Sequence, residues 1–284
     1  MFVIIGSLVV IISIIIGFTM PGGKLMVLIQ ISEFITIGGA TIGSMLISAP
    51  LSTIKKIIAE IMGTFSPKHY SKKDYMELLK SFSDLFLLAQ RDGLLAIEKH
   101  VENPDESEVL GANQKFIKNK HAKTFFCDIM KVMLSGGIPP HELESLIDSE
   151  IEIFELENKS VPAILQKTAD ALPGLGIVAA VLGIIITMGA ITDGPEKVGH
   201  HVAAALVGTF LGVLLSYGFF NPLATNIEHA IESRVRFLHT IKACIVAYAK
   251  GNPPIVAVEI ARRTIFSDDR PTFQELENFV RGKS

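Results

Sequence analysis

Apolar residues are concentrated in four long blocks, and polar residues fill the segments that follow the second and fourth blocks. The blocks are residues 2–20, 31–49, 172–191 and 202–220. Each is about as long as the roughly 20-residue helix that crosses a bilayer core. Short connections with Pro and Gly, at 21–24 and 193–195, join the blocks in pairs. The pattern predicts an all-α integral membrane protein with four transmembrane helices in two hairpins and a helical cytoplasmic domain.

The positive charges predict which segments face the cytoplasm. Every Lys and Arg except Lys24 and Lys197 lies in residues 51–171 or 223–284. Basic residues close to span ends mark the cytoplasmic side, and here they are Lys55, Lys56, Lys167, Arg234 and Arg236. We therefore predict a first hairpin (1–50), a cytoplasmic helical domain (51–171), a second hairpin (172–222) and a cytoplasmic C-terminal helical segment (223–284). The first block lacks a basic lead and a small-residue cleavage site, so we expect a retained span.

The overall composition argues against nucleic-acid binding, metal binding and catalysis. The chain is 49% hydrophobic with a formal charge of −3, which offers no basic surface for nucleic acid. Cys127 and Cys244 show no metal-ligand spacing and are expected to stay reduced. We find no catalytic set, phosphate loop or zinc pattern, so the sequence predicts neither an enzyme nor a bound cofactor or metal.

The stretch PGLGIVAAV, residues 173–181, permits a nucleotide-loop interpretation. Gly174, Gly176 and Ala179 fit a dinucleotide fingerprint, with Asp193 as the ribose acid. The preceding LQKTADAL is a poor strand, however, and the following residues are uncharged as far as Ile191. A nucleotide-binding helix needs a polar outer face, so this interpretation is disfavoured.

Small residues instead recur at three- and four-residue steps in the third and fourth blocks. The third block carries Pro173, Gly176, Ala180, Gly183, Thr187 and Ala190, and the fourth carries Ala205, Thr209, Gly212 and Ser216, with Gly208 and Gly212 forming GxxxG. Helices in lipid associate through close packing, which small side chains permit. Both stripes are predicted to face protein. Either they only pack on each other, or their hydroxyls and the hinge prolines Pro173 and Pro222 have a further role.

Polar residues within or beside the blocks are few. Glu33 is the only formally charged residue inside them, and it either reaches the membrane interface or takes part in ion access. His200 and His201 lie near the start of the fourth block and are expected to be interfacial rather than metal ligands.

The cytoplasmic segments predict further helices. Residues 84–100 form an amphipathic pattern with Leu88 and Leu95 seven apart and with Arg91 and Glu98 along one edge. A second helix is expected after Pro140, running through an acidic stretch toward the third span. Asn252 is expected to cap a helix with Pro253 at its first position, and Thr272 with Glu275 forms a predicted capping box.

Four motifs in this order, RDGLLAIE, ALPGLGIVAAVLG, LVGTFLG and GNPPIVAVE, together with the four spans, resemble the MotA family of flagellar stator subunits over the length of the chain. The resemblance implies a multi-pass protein of the bacterial inner membrane with both termini cytoplasmic. It also implies a pentamer around a MotB dimer, in contact with membrane lipid, with the ion-carrying acid on MotB and FliG as the rotor contact.

Residue by residue, the resemblance assigns Pro173 and Pro222 to coupling and Thr209 to the ion path. Glu98 matches the family's acidic rotor contact. Many relatives have Arg where this chain has Gln90, which leaves Arg91 as the substitute. Sodium-using relatives tend to carry hydroxyls at the positions of Ala180 and Gly208, so their absence here favours protons. The alternatives are an ExbB or TolQ type of energiser, which usually has three spans, and a passive membrane scaffold.

Overall fold

The computed structural model describes residues 2–65, 70–189 and 191–282, with only the backbone of residue 193. Within these ranges the chain is helical and contains no strand. It divides into two compact units. The membrane unit comprises residues 1–68 and 157–230, and the extramembrane unit comprises residues 69–156 and 231–284.

The helices vary greatly in length, from five residues to 50. They are α1 (Phe2–Thr19), α2 (Ile31–Ser48), α3 (Leu51–Gly63), α4 (Lys72–Asp92), α5 (Glu98–Glu102), α6 (Gln114–Lys118), α7 (Lys120–Ser135), α8 (Pro140–Gly189), α9 (Pro195–Val213), α10 (Asn221–Ala249), α11 (Pro254–Arg262) and α12 (Phe273–Val280). Short 3₁₀ turns occupy Leu25–Leu28, Leu94–Ile97 and Ile191–Asp193, and a π-helical segment occupies Leu214–Phe220.

The four predicted spans are confirmed as helices long and apolar enough to cross a membrane. The first two coincide with α1 and α2. The third is the end of α8, whose acidic beginning at Pro140 continues into the span without a break. The fourth comprises most of α9 and the π-helical segment. Ala190, predicted on the small-residue stripe of the third span, lies outside the described residues.

The fourth span departs from α geometry just before Pro222. The π-helical segment Leu214–Phe220 leads directly into α10, in which Pro222 is the second residue. Proline has no N–H and its ring crowds the carbonyl four residues earlier. A wider turn at this point accommodates both effects, and such turns are rare inside α-helices.

Aromatic side chains form the core of the extramembrane unit. Phe82 of α4 stacks on Phe126 of α7 with ring centroids 4.5 Å apart, and Phe86 stacks on Tyr248 of α10 at 4.2 Å. Both phenylalanines of α4 are fully buried. Because aromatic burial contributes strongly to stability, these contacts fix α4 and, through it, the segment that carries Arg91.

The prediction of one amphipathic helix over residues 84–100 is wrong. Helix α4 ends at Asp92, and Gly93 takes a φ of 89° and a ψ of 161°. A 3₁₀ turn follows, and α5 begins at Glu98. Leu95, expected on the apolar face, is 73% exposed. The backbone freedom of Gly93 outweighs the seven-residue repeat, because only glycine adopts this conformation without strain.

The two predicted caps of the C-terminal segment have different outcomes. Pro253, not Asn252, is the N-cap of α11. The Asn252 side chain instead donates to the carbonyl of Ala247 at 2.8 Å and so closes the end of α10. The capping box of Thr272 and Glu275 is confirmed at the start of α12.

We predict that Gly93→Ala destabilises the protein by about 1–3 kcal/mol, because a side chain is strained at this backbone conformation. Thermal unfolding of the detergent-purified protein measures the effect. Leu95→Ala is the matched control, since its exposed side chain is expected to contribute little. Equal melting temperatures for Gly93→Ala and the unsubstituted protein would contradict the interpretation of this break.

Candidate functional site

Helices α8 and α9 touch backbone to backbone in the membrane unit. A Cβ atom added at Gly176 would lie 2.8 Å from the carbonyl oxygen of Gly208 and 3.1 Å from the Cα of Gly212. One added at Gly212 would lie 2.6 Å from the carbonyl oxygen of Leu172. Each distance is shorter than a normal contact, so glycine is required at both positions. We call this point the glycine crossing, comprising Gly176, Gly208 and Gly212.

The two small-residue stripes meet along a longer face. A Cβ at Gly183 would lie 2.9 Å from the Cβ of Ala205, and Thr187 donates to the carbonyl of Gly183 at 2.7 Å. Thr209 is half-buried, with its Cα 3.3 Å from the position of a Gly176 Cβ. Ala180 is also half-buried. The structure therefore brings the stripes together and holds Thr209 at the edge of the glycine crossing.

Glu33 is buried within the membrane unit, with 6% of its surface exposed. It shares the buried face of α2 with Ile37 and Thr41. Its Oε2 is buried and has no hydrogen-bond partner among the described residues. A Cβ at Gly208 would contact this oxygen and would lie 3.3 Å from Cδ of Glu33.

The prolines lie at the two ends of the second hairpin in sequence, Pro173 within α8 and Pro222 in the first turn of α10. Pro173 is inside α8 and follows Leu172, whose carbonyl faces Gly212. Pro222 is exposed at the start of α10. In α8, seven residues before Pro173, Gln166 donates through Nε2 to Oδ1 of Asn221 at 2.7 Å. Sequence analysis missed this link, although an amide next to Pro222 at the end of an apolar block was a visible signal.

Ser216 lies within the π-helical segment and is completely buried. Its hydroxyl has no hydrogen-bond partner among the described residues. Buried polar groups are normally paired, and widened turns of this kind often occur at functional sites. Within the membrane unit, the hydroxyl oxygen of Ser216 thus resembles Oε2 of Glu33: both are buried, and both lack a hydrogen-bond partner among the described residues.

The predicted rotor residues are exposed on the extramembrane unit. Arg91 forms a bidentate pair with Asp92, at 2.9 Å and 2.7 Å, and this pairing lowers the pKa of the Asp92 carboxyl. Glu98 begins α5, beyond the break at Gly93. Gln90 is exposed next to Arg91. The two charges thus lie on different helices, separated by a 3₁₀ turn.

The histidines and cysteines singled out in the sequence form no metal-binding or reactive group among the described residues. His200 and His201 have ring centroids 6.0 Å apart, and no group of three His, Cys, Asp or Glu side chains that could hold a metal occurs in the described ranges. Cys127 and Cys244 are buried and free. Burial raises the pKa of the Cys127 thiol to about 11, which disfavours its reactive thiolate. The side chain of Asp193 lies outside the described residues.

We predict that Gly176→Ala lowers the melting temperature of the purified protein, by an amount equivalent to about 1–3 kcal/mol. The added methyl would clash with backbone atoms of Gly208 and Gly212, which cannot rotate away as a side chain can. Gly174→Ala is the matched control in the same helical turn. Its Cβ would meet no atom within 4 Å, and replacing glycine in a helix stabilises by about 0.5–1 kcal/mol. If both variants melt alike, the glycine crossing is not a tight contact.

Two sequence families match consecutive parts of the chain. Residues 4–93 match the family described as Motility protein A N-terminal. Residues 117–239 match the MotA/TolQ/ExbB proton channel family, and this range includes the glycine crossing.

Individual relatives match almost the whole chain. Motility protein A of Salmonella typhimurium is 35% identical over 281 residues, which are 99% of this chain and 95% of that protein. Motility protein A of Escherichia coli is 34% identical, with the same coverage.

Solved structures share the fold. A chain of the C. jejuni MotAB structure superposes with a TM-score of 0.79 at 21% identity, covering 95% of this chain and 98% of that one. A chain of the flagellar MotAB stator complex from Bacillus subtilis gives 0.72 at 24% identity, covering 90% and 92%. Because Motility protein A of Salmonella typhimurium is 35% identical over 99% of this chain, the chain belongs to the motility protein A family, within the MotA/TolQ/ExbB proton channel family.

Proposed function

We propose that the chain is the stator subunit of a bacterial flagellar motor, forming with a MotB subunit a proton channel that converts ion flow into torque. The observation that carries the proposal is the match to Motility protein A over 99% of the chain. The Motility protein A N-terminal match at residues 4–93 favours this role over an ExbB or TolQ type of energiser. The chain's role is then mechanical and ion-conducting, without an enzymatic reaction.

The proposed assembly is a pentamer of this chain around a MotB dimer in the bacterial inner membrane. Segments 1–50 and 172–222 would cross the bilayer, and segments 51–171 and 223–284 would lie in the cytoplasm with both termini. The charge distribution supports this orientation, because basic residues near span ends favour the cytoplasm. Apolar residues on α1, none of which is buried within the chain, suit contact with lipid or neighbouring subunits.

Protons are the proposed ion. Ala180 and Gly208 provide no side-chain oxygen at the helix pair, and a dehydrated sodium ion requires several oxygen ligands. A MotB acid would carry the proton, with Thr209 beside its path and Glu33 as a further member of the pathway.

Coupling is proposed to depend on Pro173 and Pro222. Pro173 follows the residue whose carbonyl meets Gly212, and Pro222 follows the π-helical segment and the Gln166–Asn221 hydrogen bond. A change of bending at either proline would alter the α8–α9 contact and reach the extramembrane unit through α8 and α10. Arg91 and Glu98 would contact the rotor protein FliG.

Complementation tests the function. The chain is expressed with its one-span partner in a bacterium that lacks its own stator, and swimming is measured. We expect motility that disappears when the proton gradient is collapsed. Correct membrane insertion without motility, combined with rescue of a strain that lacks an envelope-transport energiser, would assign the chain to the rival role.

Thr209 provides a specific prediction. An interhelical hydroxyl contact in membranes contributes about 0.6–2 kcal/mol, and Thr209→Val preserves shape while removing the hydroxyl. We expect Thr209→Val to reduce proton flux and torque with assembly intact, and Thr209→Ser to be tolerated. The opposite order, with Val tolerated and Ser damaging, would mean that Thr209 only fills space.

The rotor surface provides another prediction. Complementary charges mainly orient and accelerate encounter, so Arg91→Glu or Glu98→Lys should reduce swimming speed modestly and the double reversal should reduce it more. Lys99→Glu, a charge reversal next to Glu98, is the control. A reversed charge on the rotor should restore single variants, and failure to restore any of them would argue that these residues are only a solvated surface.

A further inference from the structure

We propose that Gly208 is a positioning residue for Glu33. Because glycine has no side chain, it leaves a space, which we call the seat, that holds the Glu33 carboxyl inside the membrane unit. There the carboxyl binds and releases a proton. The inference rests on the proposed proton pathway and assigns a structural device to it. The seat comprises Gly208 of α9, Ala179 of α8 and the carboxyl of Glu33 from α2.

The geometry of the seat is specific. A Cβ at Gly208 would meet Oε2 of Glu33 and would lie 3.2 Å from the Cβ of Ala179. The carboxyl therefore occupies space that any larger residue at position 208 would take. The two residues are far apart in the sequence, so this fit depends on the packing of α2 against α9.

Apart from a hydrogen bond with the Ser32 side chain, the residues buried near the carboxyl are mostly apolar. Ile37, one turn along α2, belongs to a buried cluster with Leu172, Ala179, Val207 and Leu211. A charged carboxylate without a counter-charge is very costly in such surroundings. An ionisable side chain kept within a membrane segment marks an ion or proton route more often than a structural contact.

Oε2 of Glu33 is available to exchange a proton because no side chain or backbone group of the described residues occupies it. Glu33 is 6% exposed, and its Oε2 has no hydrogen-bond partner within the described residues. An unpaired buried acceptor costs about 1–3 kcal/mol. Water, a proton or a group of the partner subunit would satisfy this oxygen, which makes it the point at which a proton arrives or departs.

Gly208 differs from the other glycines of the crossing in what a methyl group would meet. At Gly176 and Gly212 the first obstacle is a backbone carbonyl, whereas at Gly208 it is the end of a flexible side chain. Alanine at 208 can be accommodated if the carboxyl moves away and Ala179, whose Cβ would lie 3.2 Å from the added methyl, shifts by a small fraction of an ångström. Gly208→Ala is therefore expected to retain the fold and to lose the position of Glu33.

A size exchange tests the seat. The variants Gly208→Ala, Glu33→Asp and their combination are co-purified with the MotB-type partner and reconstituted in vesicles. Proton flux and melting temperature are measured for each. We expect Gly208→Ala to lower flux by about tenfold or more at a nearly unchanged melting temperature, because small displacements of a reacting group are costly. Glu33→Asp alone should also lower flux, since its carboxyl is one methylene shorter.

The combined variant should recover most of the flux lost in Gly208→Ala, because the shorter acid leaves room for the added methyl. Glu33→Gln, which keeps the shape and cannot release a proton, should be as inactive as Gly208→Ala. Full flux in Glu33→Gln or Gly208→Ala overturns the proposal, as does a double variant no better than Gly208→Ala. So does a loss of melting temperature in Gly208→Ala equal to that in Gly176→Ala. Absence of proton flux in the unsubstituted complex would instead overturn the proposed function.

Discussion

Backbone contact between α8 and α9 at the glycine crossing is the constraint on which the membrane unit depends. Helices in lipid gain little from hiding apolar surface from each other, since the lipid is equally apolar. Their association instead requires close approach, and here Gly176, Gly208 and Gly212 permit it. The same approach determines the position of Thr209 and the space left for Glu33.

Close backbone packing also explains why polar atoms persist in this unit. A side chain removed from one helix leaves room for a polar group from another, as the Gly208–Glu33 contact illustrates. The π-helical segment holds Ser216 with its hydroxyl unpaired within the described chain. Such groups are costly in an apolar medium, so their retention is consistent with a route for protons. The carrier acid itself would then come from the partner subunit.

The sequence was sufficient for features that depend on local pattern. Span lengths follow from bilayer thickness, the stripes follow from helical periodicity, and the Thr272 capping box is a local hydrogen-bonding motif; all are present in the structure. Contacts between distant segments were not predictable. The burial of Glu33 depends on Gly208, and the Gln166–Asn221 hydrogen bond depends on how α8 meets the start of α10. Gly93 was a visible signal for a helix end, but the seven-residue leucine repeat favoured one continuous helix. In the structure the backbone conformation of Gly93 ends α4.

The central claim is that this chain, with a one-span partner, conducts protons beside the glycine crossing. Ion flux in vesicles that contain the purified complex tests it most directly, with a pH gradient and a sodium gradient imposed separately. We predict flux driven by the pH gradient alone, unchanged by removal of sodium, and absent when either subunit is omitted. Flux that requires sodium, or that is absent from an intact and correctly oriented complex, would contradict the account.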